Sequence, residues 1–268
     1  MKEYIHGYTD KEATRLNAQA NTLDNLLHHD SVWPGGSLIL EAGCGVGAQT
    51  KIIASKNIDS QFISVDISSE SIKQAEKLTN SLGIPNVKYK QADIFSLPFS
   101  NNYFDHLFVC FVLEHLPNPV KALVELKRVI KPGGTIMAIE GDHGSAYFYP
   151  ESKEAQKAIQ CQVELQKQNG GDANIGRKLY PLLYESGFYS VNISPRMVYV
   201  DDSKPNLVEG FTRNTFTAMI EGIAETAVSN KLISRQNMTK GIKDLYKTAE
   251  GGGSFCYTFF KGTGRKNK

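Results

Sequence analysis

SLILEAGCGVG, residues 37–47, reads as a strand running into a glycine turn. Ser37 to Ala42 is a short apolar run with branched residues, the mark of a strand buried on both faces. Gly43, Cys44, Gly45, Val46 and Gly47 close a tight loop, and AQTKIIASK, residues 48–56, continues with Ile52, Ile53 and Lys56 at helical spacing. Strand, glycine turn and helix form the nucleotide-binding opening of a doubly wound α/β sheet. A Cβ in the turn would hold a ligand off the backbone. The helix start offers free N–H groups and a partial positive charge to an anionic group. Gly43, Gly45 and Ala48 also satisfy the dinucleotide spacing G-x-G-x-x-G/A. Glu41 pulls away from NAD, because a carboxylate just before the turn repels a pyrophosphate. It suits anchoring of the loop amides or a cationic ligand group instead. Gly47 is a third glycine that the dinucleotide pattern does not ask for.

Working outward from the turn, residues 1–8 read as an extended arm, and Thr9 with Glu12 as a capping box. A helix follows over about 10–28, with Leu16, Ala20, Leu23 and Leu27 on its apolar stripe and Lys11, Arg15 and Gln19 on another face. Downstream, QFISVD (61–66) is a strand ending in Asp66, and Ser68 caps a helix over about 69–82. A third strand over 87–91 leads to Ala92, Asp93 and Ile94, and a fourth spans about 106–111. A helix over about 120–130 and a glycine turn precede a fifth strand at 135–140, after which Gly141-Asp142-His143-Gly144 reads as a loop. Strands alternating with helices give a parallel sheet with helices on both faces. Beyond the loop the rhythm changes. Helices are expected at 151–168 and 174–187, a strand at 189–200, two helices over 205–248 broken near Asn230, and a last strand at 254–261.

With 41% hydrophobic and 22% charged residues, the 268-residue chain has the composition of an ordinary soluble globule. A net charge of +2 is too small to argue for nucleic-acid binding, and the basic tail GTGRKNK suits a solvated terminus. Cys44, Cys110, Cys161 and Cys256 form no C-x-x-C pair, which argues against zinc and disulfides and suits a reducing cytoplasm. His6, His28, His29 and His106 share no metal-ligand spacing, so no metal is expected. The N-terminal stretch has no apolar core of a signal peptide, and no run approaches a membrane span.

ILEAGCGVG (39–47), ISVDIS (63–68), QADIFSLPFSNNYFD (91–105) and LKRVIKPGG (126–134) together resemble the motifs of class I S-adenosylmethionine (SAM)-dependent methyltransferases. The group is the broad one that includes the quinone-biosynthesis C-methyltransferases. The resemblance spans roughly the cofactor half, from Leu38 to Asp142. It implies a seven-stranded, mostly parallel Rossmann-like sheet with an antiparallel last strand. It also implies a single methyltransferase domain: an N-terminal arm and helix (1–30), a cofactor half (37–142), and a substrate half (143–268) with a helical insertion at about 205–248. SAM is the implied cofactor and a small molecule the implied methyl acceptor. Glu41, Gly43, Cys44, Gly45 and Gly47 then surround its methionine part. Asp66 takes the ribose hydroxyls, Ile67 packs on adenine, and Asp93 and Ile94 meet the adenine edge. Cys110 and Phe111 line the methionine end, and Tyr8 and Arg15 from the N-terminal arm and helix complete the cofactor set. His143 or Asp142, at the carboxyl edge of the sheet, is the expected general base if one is used. Where quinone methyltransferases carry an asparagine-arginine stretch after the fourth strand, this chain has VLEHL (112–116). The base-methylating N/D-P-P-Y/F motif is replaced by Cys110-Phe111-Val112-Leu113. The competing readings are an NAD(P)-dependent oxidoreductase and a non-catalytic SAM-binding scaffold or sensor. A cytoplasmic monomer or homodimer is expected.

Overall fold

The computed structural model describes residues 10–267. The expected arm, Tyr8 and the Thr9 half of the capping box lie outside the described residues. The centre of the fold is β1 (Leu38–Ala42), hydrogen-bonded in parallel to β2 (Gln61–Asp66) on one side and β4 (Phe104–Cys110) on the other. β3 (Val87–Gln91) flanks β2, and β5 (Ile130–Tyr149) flanks β4, both parallel. β7 (Ser254–Arg265) runs antiparallel between β5 and β6 (Tyr189–Val200), giving a seven-stranded mixed sheet in the order β3-β2-β1-β4-β5-β7-β6.

Alternation along the central strands supplies two apolar faces. Ile39, Phe62, Phe108 and Ile139 pack with Leu23 and Leu27 of α1 (Asp10–His28) and with α5 (Lys153–Gln168). Leu40, Val65, Leu107 and Ile136 pack with Leu123 and Leu126 of α4 (Pro119–Val129) and with α6 (Leu179–Glu185). α2 (Thr50–Lys56) and α3 (Ser69–Ser81) complete the cofactor half. Caps set the helix starts. The Ser68 hydroxyl accepts from the Ser71 amide, Asn118 from Lys121 and Ser152 from Ala155, each worth about 1 kcal/mol.

The C-terminal end of α1 is fastened to β7. Lys261 Nζ, buried, donates to the Leu27 carbonyl (3.2 Å), Asp30 Oδ1 (2.6 Å) and Ser31 Oγ (2.9 Å). An orphan helix carbonyl is thereby satisfied. His28, held neutral by burial with its pKa lowered to about 4, bridges Ser31 and Gln49.

Three sequence expectations need correction. The stretch 141–144 is not a loop. β5 continues through it, with its register against β7 shifting between Asp142 and Tyr147. Pairing with Phe259 of the distant antiparallel β7 holds Gly141 in the strand. The expected helix at 174–187 is a 3-10 turn at Ile175–Lys178 followed by α6. The 205–248 stretch is α7 (Pro205–Leu207), a π-helix (Val208–Thr217), α8 (Ala218–Gly222), α9 (Ala224–Ser229) and α10 (Arg235–Lys247). Inside the π-helix, the Thr215 hydroxyl donates to the Gly210 carbonyl at 2.7 Å. Gly210 allows the segment to lie against α1, since a Cβ there would come within 2.3 Å of Thr22 Oγ1.

Candidate active site

A cleft of about 560 Å³ opens at the carboxyl ends of β1, β2, β4 and β5, between α1 and the π-helix. Ligand sites of doubly wound sheets collect at this edge.

At one end is the glycine turn. The Gly43 and Cys44 amides both donate to the Val65 carbonyl (2.8 and 3.0 Å), folding the turn across β2. Gly43 has φ +76°, and a Cβ on it would lie 2.5 Å from Val112 Cγ2. Gly45 faces the cleft with open space where a Cβ would point. Gly47 does not reach the cleft wall. A Cβ there would lie 3.0 Å from Ala75, so this glycine serves the approach of α3. Glu41 also stands behind the wall. Its Oε2 accepts from the hydroxyls of Thr50 (2.7 Å) and Ser64 (2.6 Å), and burial pushes its pKa up to about 7. It braces β1, β2 and α2 and bonds no loop amide.

Asp66 reaches the cleft, its carboxylate fixed by two backbone donors: Gly45 N–H to Oδ2 (2.8 Å) and Ser68 N–H to Oδ1 (2.9 Å). Ile67 lies exposed beside it, and Asp93 and Ile94 join the same wall from the end of β3. Asp93 Oδ1 accepts from the Phe95 amide at 2.9 Å, an Asx turn that orients the carboxylate. From α1, Arg15 closes this end. Its Nε and Nη2 grip the Glu12 carboxylate (2.8 and 2.7 Å), and its Nη1 reaches Gln19 (3.1 Å).

The thiols of Cys44 and Cys110 line the cleft, and burial raises both well above the usual thiol range, so neither is a nucleophile. Phe111 follows with φ +57°, a conformation that costs a non-glycine residue about 1 kcal/mol or more. It turns the chain at the end of β4 and sets the ring 5.6 Å from that of Phe259.

The far end is built mostly from the late insertion, β7 and α5. Phe211 and Phe216 of the π-helix and Tyr257 and Phe259 of β7 form a continuous aromatic wall. Glu114, Gln162 and Gln166 face it. A signal for the two glutamines was present: they sit four apart on the buried face of α5, where only apolar residues are otherwise needed.

His143 stands in this end of the cleft and is buried. Its Nδ1 lies 3.1 Å from the Ala173 carbonyl and 3.1 Å from the Tyr257 hydroxyl, while Nε2 has no hydrogen-bond partner. A carbonyl only accepts, so Nδ1 carries the hydrogen and Nε2 keeps its lone pair. Burial lowers the imidazole pKa, which keeps the ring neutral. Asp142 does not share the site. Neighbouring strand residues point to opposite faces, and the Asp142 carboxylate is gripped by Arg177 Nε and Nη2 at 2.7 Å each.

A methyltransferase domain family model matches residues 40–138. That segment, about a third of the chain, is similar to the SAM-dependent methyltransferases. The chain is 34% identical over 161 residues to an uncharacterized methyltransferase of Schizosaccharomyces pombe, covering 58% of each chain. It is 39% identical over 130 residues to a ubiquinone/menaquinone biosynthesis C-methyltransferase of Francisella tularensis subsp. novicida, covering 48% of each. It thus spans about half the length of the curated relatives it matches. Among solved structures, the domain is similar to phosphoethanolamine N-methyltransferase 2 of Haemonchus contortus. That likeness has a TM-score of 0.57 at 17% identity, over 93% of this chain and 52% of that one, and speaks to the fold alone. Among the described residues no helix is long and apolar enough to cross a membrane, and no group of three or more His, Cys, Asp or Glu side chains could hold a metal ion.

Proposed function

We propose that this protein transfers a methyl group from SAM to a small-molecule acceptor, working as a single cytoplasmic methyltransferase domain. The observation that carries the reading is the Asp66 carboxylate, held by the Gly45 and Ser68 amides and turned into the cleft beside an open glycine turn. Such a carboxylate accepts from two vicinal ribose hydroxyls. Ile67 and Ile94 offer apolar faces to a purine, and Asp93 accepts from its amino group. The open space at Gly45 admits the amino-acid part, with Arg15 near its carboxylate.

Bound SAM supplies a methyl group already activated on a sulfonium. The chain's own task is to align the acceptor with that methyl, exclude water and take a proton. Holding two reactants in line supplies several kcal/mol. The aromatic wall excludes water, and His143 Nε2 is the proton acceptor of the site. Asp142 supports β5 behind it through its ion pair with Arg177.

Isothermal calorimetry tests the reading. SAM and S-adenosylhomocysteine are expected to bind in the micromolar range, about −8 kcal/mol. Silence with both, together with binding of NAD, would sink it.

A further inference from the structure

Among the described residues lining the cleft, Glu12, Asp66, Glu70, Asp93 and Glu114 are carboxylates, and Arg15 is the one Lys or Arg. That guanidinium sits at the cofactor end, clasped by Glu12. Among the described residues, the acceptor end has no lysine or arginine and one conspicuous acid. The Glu114 side chain is largely buried. Its Oε2 accepts from Gln166 Nε2 at 3.1 Å, and its Oε1 lies 3.6 Å from His115 Nε2. Next to it, Glu140 receives the Val112 and Leu113 amides on Oε1 (3.0 and 2.8 Å). Burial and the neighbouring Glu114 charge hold the Glu140 carboxyl well above its usual range, so it stays neutral. Glu114 is the acid that lines the acceptor end of the cleft, and a largely buried carboxyl group gains most from a cationic partner.

The rings complete the picture. Phe216 and Tyr257 lie 5.5 Å apart, Tyr257 and Phe259 4.7 Å, and His143 is 5.7 Å from Tyr257. Aromatic faces attract an ammonium group by their quadrupole. A carboxylate or phosphate in the same place would face Glu114 with no lysine or arginine beside it among the described residues. A neutral alcohol would leave Glu114 with only Gln166 and His115 as polar neighbours.

We propose that the acceptor is an amine with an apolar body, drawn in as its ammonium form by Glu114 and the aromatic wall and deprotonated by His143. This rests on the methyltransferase reading above. The balance is simple. The ammonium gives one proton to His143 Nε2 and becomes a free amine. The nitrogen lone pair forms the new N–C bond while the C–S pair stays on sulfur. The product is a methylated ammonium, and His143 passes its proton to water, one per turnover.

The test uses the whole chain saturated with S-adenosylhomocysteine and three probes of matched shape, titrated by calorimetry: 2-phenylethylamine, 2-phenylethanol and phenylacetate. The amine is expected to bind at least about tenfold tighter than the alcohol, and the acid not at all. Glu114→Gln is expected to erase the preference while S-adenosylhomocysteine affinity holds. A variant that fails to fold leaves the wild-type ranking as the deciding measurement. Equal or tighter binding of the alcohol or the acid overturns the proposal, as does no binding of any probe or a preference that survives Glu114→Gln. If S-adenosylhomocysteine itself fails to bind, the methyltransferase reading falls. If it binds and the ranking is absent, only the acceptor class falls.

Discussion

At the glycine-turn end of the cleft, polar groups are held by backbone. Asp66 is fixed by two amides, Asp93 by one, and the turn itself by the Val65 carbonyl. At the aromatic end, the groups that face the cleft are side chains packed on side chains, and His143 Nε2 lacks any partner. The first end is set by local chain geometry. The second is assembled from β5, α5, the π-helix and β7, and leaves an atom to be satisfied by what arrives. A buried polar atom without a partner is costly unless binding or chemistry uses it.

The contrast can be broken most visibly at His143. With an acceptor in hand, His143→Gln is expected to lower kcat by about 10²- to 10⁴-fold while leaving the S-adenosylhomocysteine dissociation constant within about twofold. Collapsed cofactor affinity with intact turnover at saturation would place His143 at the wrong end.

The next effect lies behind the glycine turn and is read as stability against pH. Glu41 carries a folded-state pKa of about 7 against an ordinary 4.5, so the folded protein keeps a proton that the unfolded chain loses. Its contribution is full below about 4.5 and is lost as pH rises through 7. His28 works in the opposite sense. It is held to about 4 against an ordinary 6.5, so stability increases as pH rises across that interval. Glu41→Gln keeps an acceptor for Thr50 and Ser64 and removes the first slope alone. Relative to wild type, urea unfolding of the variant is expected to gain on the order of 3 kcal/mol between acid and mildly alkaline pH. Parallel pH profiles for the two proteins would remove Glu41 as a buried titrating brace.

The smallest expected change tests the backbone-held end directly. Asp66→Ala is expected to weaken S-adenosylhomocysteine binding ten- to a hundredfold, about 1.5–3 kcal/mol. An unchanged constant in a folded variant would make Asp66 a brace of the turn like Glu41.

How much of this was readable in the chain follows the same division. α1, β2 and β3 have the bounds that periodicity and caps gave, within a residue or so, because local pattern determines them. Asp66, Ile67, Asp93 and Ile94 were readable because each sits at or just past a strand end. Glu41 and Gly47 were placed next to the ligand, yet their partners Thr50, Ser64 and Ala75 come from packing that sequence order does not display. The length of β5 was hidden because Gly141 and Gly144 mark a break in any local reading, whereas β7 supplies the pairing from more than a hundred residues away. With that strand in view, alternation alone separates Asp142 from His143. The π-helix was missed for a different reason: its apolar residues follow neither the 3.6-residue nor the two-residue period.

β5 also marks the end of the family match, which stops at residue 138, partway along the strand. Past that point the same strand carries His143, and the later chain brings Gln162, Phe211, Phe216 and Tyr257 to the cleft. Much of the aromatic end of the cleft thus comes from chain outside the matched segment. A relative's acceptor, inferred from the shared part, is therefore no guide to what this chain methylates.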